Sequence, residues 1–319
     1  MGYNTTMHSL ITIIIPTYNY ACFISETIDS VLSQTYTHWE CYIVDDGSTD
    51  NTSDVVDQYT SIDTRIHFIR QENAGPAAAR NNGIKHSNGE FIQFLDADDL
   101  IASDKIRQQL SFLESNPTVD IVYGDMRYFR SEAPIDLLYS MFEPDMPWMP
   151  MASGVGREIL LPLLSQNIMV SNAPLIRRSV IHDVGLFDET LEALEDWQYW
   201  LRCANLNKRF EFKDFPDGLA LVRLHRSSTS QSGRRSINPS TIFDMWNKTT
   251  LVLTDSDLSI LHQNTIASSE TRMVAEKIKE ASLFKSVIDI AKMGMKHQRY
   301  KWIVKQLALA VIRHLSLRP

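Results

Sequence analysis

Two short apolar runs in this chain each end in a cluster of carboxylates. Tyr42-Ile43-Val44 leads into Asp45-Asp46-Gly47-Ser48-Thr49-Asp50, and Phe91-Ile92-Gln93-Phe94-Leu95 leads into Asp96-Ala97-Asp98-Asp99. A β-branched or aromatic run that stops at acids reads as a buried strand whose C-terminal end carries a polar site. In open α/β sheets ligands collect at that edge. Two such ends about fifty residues apart predict one crevice that holds a polar ligand and a divalent cation.

The pattern around these runs alternates. Residues 10–15 read as a strand, followed by the turn Pro16-Thr17-Tyr18-Asn19. Ser25 to Gln34 has helical spacing, with Ile28, Val31 and Leu32 on one side. Trp39–Val44 is a second strand, and a helix capped by Asp50 or Thr52 runs to about Tyr59. Arg65–Arg70 is a third strand, Asn73-Ala74-Gly75-Pro76 a turn, and the Ala-rich stretch from Ala77 a helix that ends near Gly83 or Ser87. Phe91–Leu95 is the fourth strand. Strand-helix alternation of this kind implies an α/β fold, a largely parallel sheet with helices on both faces.

Beyond residue 100, Lys105–Glu114 is read as a helix and Val119–Tyr123 as a strand. Residues 131–156, rich in Pro and Met and without a period, are read as a long loop over the site. Arg157–Ile168, Ser179–Gly185 and Trp197–Asn205 read as helices, and Leu219–Leu224 as a strand that feeds His225. After Pro239 the pattern is helical to the end. The break at Ser232-Gly233-Arg234-Arg235-Ser236 sets a boundary, giving a catalytic domain over 1–235 and a helical C-terminal extension over 236–319.

The net charge of −8 argues against nucleic acid as a partner. Three cysteines, Cys22, Cys41 and Cys203, form no CxxC pair, so a disulfide framework is not expected and a reducing, cytoplasmic setting fits. The run Leu10–Ile15 is too short for a leader, and no run reaches the ~18–20 apolar residues of a membrane span. The expectation is a soluble or peripheral protein. From Lys292 onward there are seven Lys or Arg and no Asp or Glu, with Trp302, Ile303, Leu307, Val311, Ile312 and Leu315 between or beside them. A basic amphipathic helix of this kind is suited to an anionic membrane surface at the inner face of the plasma membrane; its structural alternative is a helix packed on the catalytic domain.

Taken in order, Ile15-Pro16-Thr17-Tyr18-Asn19, Val44 to Asp50, Asn73-Ala74-Gly75-Pro76-Ala77-Ala78-Ala79-Arg80-Asn81, Leu95 to Asp99, Gly185-Leu186-Phe187-Asp188-Glu189, Glu195-Asp196-Trp197 and Arg223-Leu224-His225 resemble the family 2 glycosyltransferases of GT-A fold. The resemblance covers about residues 9–230. It implies a Rossmann-like, mostly parallel mixed sheet flanked by helices. It also implies inverting transfer of a sugar from a nucleotide sugar, commonly a UDP-sugar, to an acceptor hydroxyl with Mg²⁺ or Mn²⁺. A glycan or lipid-linked glycan is the implied acceptor, and synthesis of a cell-surface polysaccharide or lipopolysaccharide the implied setting.

By that resemblance Pro16, Thr17 and Tyr18 line the nucleoside pocket, Asp45 or Asp46 bonds the base or ribose, and Arg80 lies near the base. In the unliganded protein Arg80 could pair with Asp45 or Asp46, and Thr17 and Asn19 could instead cap the next helix. Asp96 holds the ribose and water near the metal. A nucleoside diphosphate leaving group needs a hard cation with oxygen ligands. Asp98 is the first choice of ligand, joined by His225, around which Arg223, Arg226, Ser228 and Ser230 make a phosphate-friendly set. The acceptor hydroxyl needs a base, and Asp196 is the candidate. Glu195, Trp197 and Asn172 are assigned to the acceptor, with a core role for Trp197 as the alternative.

Two other functions share parts of this pattern. A non-catalytic nucleotide-sugar-binding or scaffold relative would not be expected to keep Asp98, Asp196 and His225 together. A nucleotidyltransferase would need a Gly-rich basic loop where Pro16-Thr17-Tyr18-Asn19 stands.

Overall fold

Seven residues with no exposed side chain, Ile11-Thr12-Ile13-Ile14-Ile15-Pro16-Thr17, form β1 (Ile11–Thr17) at the middle of the molecule. A strand buried on both faces reads as a continuous apolar run, as parallel sheets require. The computed structural model describes residues 9–140, 147, 149–225, 245 and 249. After β1 come α1 (Ile24–Leu32), β2 (Trp39–Asp45), α2 (Thr52–Thr60), β3 (Ile66–Arg70), α3 (Pro76–His86) and β4 (Phe91–Phe94). The predicted alternation over the first hundred residues is therefore present. β1 lies parallel to both β2 and β4, and β2 parallel to β3. α3 packs tightly on β1: a Cβ on Gly83 would stand 2.6 Å from Ile14 Cγ2.

The second half departs from simple alternation. It runs β5 (Leu100–Ile101), α4 (Lys105–Ser115), β6 (Ile121–Tyr123), β7 (Met126–Arg130), β8 (Ala133–Leu138), β9 (Gly154–Val155), α5 (Arg157–Ser165), β10 (Pro174–Arg177), α6 (Arg178–Val184), α7 (Glu195–Asn205), β11 (Arg209–Phe212) and β12 (Ala220–Arg223). Among the described residues the main sheet has the order β3-β2-β1-β4-β10-β6-β11-β9, and a smaller sheet the order β5-β12-β7-β8. β10 inserts antiparallel between β4 and β6. The stretch 131–156, expected to be a loop, instead carries β8 and β9; β8 pairs with β7, and β9 closes the far edge of the main sheet on β11.

The sheet order reverses at β1 and β4: β2 and β3 lie to one side of β1, and the chain returns to add β4 on the other. Such a switch point opens a crevice beyond the carboxyl ends of the strands. Register places Thr17 beside Asp45 at that edge, with Asp96 following β4. Chain packing divides the molecule into two compact units, Met1–Val252 and Leu253–Pro319. The expected boundary at 235/236, the helical extension and the segment 292–319 lie outside the described residues, as do Arg226 and the serines after it. Among the described residues no helix is long and apolar enough to cross a membrane. The three cysteines are free.

Candidate active site

The turns after β1 and β2 are tied together. Asn19 adopts a left-handed conformation, φ 58°, which Asn tolerates better than most residues. Its Oδ1 accepts from the Thr49 N–H at 2.7 Å, and its own N–H donates to Ser48 Oγ at 2.9 Å. The Ala21 N–H donates to Asp50 Oδ2 at 3.1 Å. Asn19 is thus a latch between the two turns and not a helix cap; α1 begins at Ile24 with no side-chain cap. Asp50 also accepts from the Thr52 N–H at 3.0 Å, one residue ahead of the α2 N-cap Asn51, which makes no side-chain cap. Gly47, at φ 80° and with Asn73 N 3.1 Å from where a Cβ would sit, permits the tight turn.

Asp45 and Asp46 part company here. Asp46 accepts from the N–H groups of Ala74 and Gly75 and from Gln71 Nε2, each at 2.8 Å. Its carboxylate organises the turn before α3, which corrects the expectation that it contacts base or ribose. Asp45 is fully buried; its Oδ1 accepts from the Ser48 N–H at 2.9 Å, while Oδ2 has no hydrogen bond and sees only Arg70 Nη1 at 3.6 Å. Thr17 Oγ1 beside it is also buried without a hydrogen-bond partner. Leaving such atoms unpaired costs about 1–3 kcal/mol each. Thr17 and Asp45 are register partners, so two neighbouring polar atoms at this edge are left unsatisfied. Pro16 is buried behind Thr17, and Tyr18 stands open at the crevice.

The turn after β4 meets the end of β12. His225 Nε2 lies 2.8 Å from Asp98 Oδ2, across 127 residues of sequence. The ring is walled by Phe23 at 4.5 Å and, edge-on, by Tyr20 at 6.1 Å. Burial first, then the charges of Asp98 and Asp96, push the Tyr20 phenol up. Arg223 does not offer itself to phosphate as expected. It is buried, donating to the Asp98 carbonyl at 2.8 Å, Ser131 Oγ at 2.6 Å and Glu26 Oε2 at 3.0 Å, between the rings of Phe23 and Phe129. Asn172, assigned to the acceptor, is likewise fully buried, with Nδ2 on Asp99 Oδ2 at 3.3 Å. It supports the acidic turn from beneath. Burial, then Asp98 and Asp96, raise Asp99 well above the usual carboxylate range.

Could this edge hold a divalent cation? Among the described residues no cluster of three or more His, Cys, Asp or Glu is arranged for a metal. Asp98 and His225 supply two donors already within contact of each other. Mg²⁺ is typically held by one or two carboxylates plus substrate phosphates and water, so this pair fits a cation that arrives with a diphosphate. The surrounding excess of carboxylate over cationic side chains favours the same occupant.

Arg80 is buried and bridges the turn after β4 to the start of α7. Its expected neighbours were the base, or Asp45 or Asp46; instead Nη1 donates to Glu195 Oε1 and Nη2 to Asp96 Oδ1, both at 2.7 Å. Ser171 Oγ donates to the other Asp96 oxygen at 2.7 Å. The next residue in α3, Asn81, binds the Phe187 backbone at both its N–H and carbonyl and reaches Glu189 at 2.8 Å. Arg80 and Asn81 thus fix the loop that leads into α7. That loop ends in Leu194, at a left-handed φ of 66°, a conformation that costs a branched residue about 1–2 kcal/mol. Asp196 follows in the first turn of α7, which begins two residues earlier than expected. Its Oδ1 accepts from the Trp197 N–H at 2.7 Å and its Oδ2 from Asn167 Nδ2 at 3.1 Å. Burial and the adjacent Glu195 charge raise Asp196 to about 6 although Arg80 pulls the other way. Trp197 is 7% exposed and its indole N–H donates to the Leu163 carbonyl at 2.7 Å. Of the two roles weighed, this is packing against α5, not stacking on a sugar.

Residues 12–185 match the family model described as Glycosyl transferase family 2. The chain belongs to that family. Among its relatives is TuaG of Bacillus subtilis (strain 168), whose name assigns it to teichuronic acid biosynthesis, 44% identical over 110 residues. An uncharacterized glycosyltransferase of Rickettsia felis is 34% identical over 200 residues. The matches cover 34% and 62% of this chain but only 44% and 30% of those proteins, less than half of either. Among solved structures, S. aureus TarS 1-349 in complex with UDP-GlcNAc superposes with a TM-score of 0.62 at 19% identity, over 89% of this chain and 79% of that one. The mannosyltransferase PcManGT from Pyrobaculum calidifontis, in complex with GDP-Man and Mn²⁺, gives 0.54 at 20% identity, over 97% and 88%. These likenesses establish the GT-A fold.

For a family 2 chain the sequence motifs found the right strands and turns. They missed Tyr20, Asn167 and Ser171. Tyr20 directly follows the Pro16–Asn19 motif. Gln166-Asn167 and Ser171-Asn172 flank the apolar Ile168-Met169-Val170, a polar-apolar-polar pattern between α5 and β10 that was the available signal.

Proposed function

We propose that this chain is an inverting, metal-dependent glycosyltransferase. It moves a sugar from a nucleotide sugar, a UDP-sugar, to a hydroxyl of a glycan or lipid-linked glycan during synthesis of a cell-surface polysaccharide or lipopolysaccharide. One observation carries the reading: Asp98 and His225, 127 residues apart, meet at 2.8 Å where the turn after β4 reaches the end of β12, and the half-buried Asp196 at the start of α7 is raised to about 6. A base near that value is ionised at neutral pH yet still has affinity for a proton. Asp196 takes the proton of the acceptor hydroxyl as its oxygen attacks the anomeric carbon. Attack on the face opposite the departing diphosphate inverts the configuration.

Thr17 Oγ1 and Asp45 Oδ2 suit a pyrimidine imide, the carboxylate accepting its N–H and the hydroxyl donating to its carbonyl. TarS solved with UDP-GlcNAc supports the same choice of donor class. Mg²⁺ or Mn²⁺ held by Asp98 and His225 would neutralise the leaving diphosphate. The relative named for teichuronic acid biosynthesis supports the polysaccharide setting. The basic segment 292–319 supports a cytoplasmic protein held peripherally at the inner face of the plasma membrane.

The test is UDP release from UDP-GlcNAc, UDP-glucose and UDP-galactose with Mn²⁺ and mixed glycan acceptors. Wild type releases UDP from one donor, and Asp196→Asn releases about 100- to 10,000-fold less while binding UDP equally well. Equal release by both proteins would remove Asp196 from the chemistry.

A further inference from the structure

The side chain of Asn167 makes one hydrogen bond among the described residues, and it goes to the candidate base: Nδ2 donates to Asp196 Oδ2 at 3.1 Å. Its other end, Oδ1, is buried with no hydrogen-bond partner. Its donor faces a carboxylate while its acceptor stays unsatisfied. The amide orientation follows from chemistry, since an ionised carboxylate accepts only. The other oxygen of Asp196 is fixed by the Trp197 N–H, so the two donors between them set the plane of the carboxyl group. The groups facing Asp196 from the surrounding elements are Glu195 beside it in α7, Arg80 from α3 and Asp96 after β4. None of these donates a hydrogen bond to it among the described residues; Arg80 gives its hydrogens to Asp96 and Glu195.

We propose that Asn167 is a positioning residue for Asp196, holding the carboxylate oxygen that receives the acceptor's proton. The proposal rests on Asp196 serving as the base. The loop between α5 and β10 carries Asn167, so the structure assigns that loop a part in catalysis alongside α7. A donor directed at the ionised form favours ionisation; without it Asp196 holds its proton to higher pH and its plane is free to turn.

The test follows the carboxyl directly. In protein with ¹³C-labelled aspartate, the Asp196 resonance, identified by its loss in Asp196→Asn, is titrated in wild type, Asn167→Ala and Asn167→Asp. The midpoint rises by about one unit in Asn167→Ala, the size expected for a lost hydrogen bond to a charge. It rises further in Asn167→Asp, where a second carboxylate replaces the donor. UDP binding stays at the wild-type level in both, and UDP release falls more at pH 6 than at pH 8. In wild type, the Asn167 side-chain amide resonances shift with the midpoint of Asp196, which needs no variant. An unmoved midpoint in folded, UDP-binding variants, or amide resonances indifferent to pH, would overturn the proposal. Wild-type UDP release by Asp196→Asn would instead remove the base itself, a separate failure.

Discussion

Asp196 shows how its surroundings strengthen an ordinary carboxyl's hold on a proton. Burial and the neighbouring Glu195 raise it to about 6, above the ~3.9 of a free aspartate. The acidic limb of the kcat/KM profile is therefore expected near pH 6, with about a tenfold loss per unit below it. A limb near pH 4 would contradict the burial. The sign for stability is the reverse of an ion-paired acid. A folded-state value above the unfolded one means that the folded protein holds the proton more tightly, so stability falls as pH rises between about 4 and 6. Above that window the ionised carboxylate opposes folding. Asp196→Asn is accordingly expected to melt no lower than wild type at pH 8 while losing turnover. A clear drop in melting temperature would show that the charge supports the fold.

Elements explain what the motifs are for. The Ala-rich run that ends in Arg80-Asn81 reads locally as a helix, and α3 is one. Nothing local announces that Arg80 reaches Asp96 and Glu195, 16 and 115 residues away. Removing a buried partner strands the others, so Arg80→Met should cost about 3–5 kcal/mol in urea unfolding at pH 8. The cost should shrink at pH 5, as the stranded carboxylates take up protons. Arg80→Lys should not rescue, because one ammonium cannot replace a two-pronged fork. An Arg80→Met protein as stable as wild type would contradict the ion-pair account. The same distinction explains which strands were legible. β1 to β4 are apolar runs that end in turns, a pattern visible without their partners, although β4 pairs with the distant β1 and β10. β5 and β9 are two residues each, too short for a period. β7 and β11 pair with the distant β12 and β6, and β8, exposed along most of Ala133–Leu138, has no buried face to give it a period, so 131–156 looked shapeless. At the site, the motifs carrying Asp98 and His225 were legible, and the structure brings the two side chains together at 2.8 Å. Asn172, Arg223 and Asp46 were misassigned because a polar residue next to a motif looks the same whether it faces the crevice or braces it from below.

At the scale of the molecule, the sheet has its switch point at β1 and β4, and the sequence carries a basic segment at 292–319. If that segment holds the protein to an anionic surface, the full chain sediments with phosphatidylserine vesicles at low salt, and 1 M salt releases it by screening. Removing 292–319 abolishes the binding. Vesicle binding unchanged by the truncation would exclude the segment as the anchor. Whether the crevice takes a nucleotide is read by calorimetric titration of UDP, GDP and dTDP, with and without Mn²⁺. Micromolar binding of UDP that depends on Mn²⁺ and is lost in a His225→Ala, Asp98→Ala protein is the expected result. Folded protein that binds none of the three nucleotides, with or without Mn²⁺, would contradict the account.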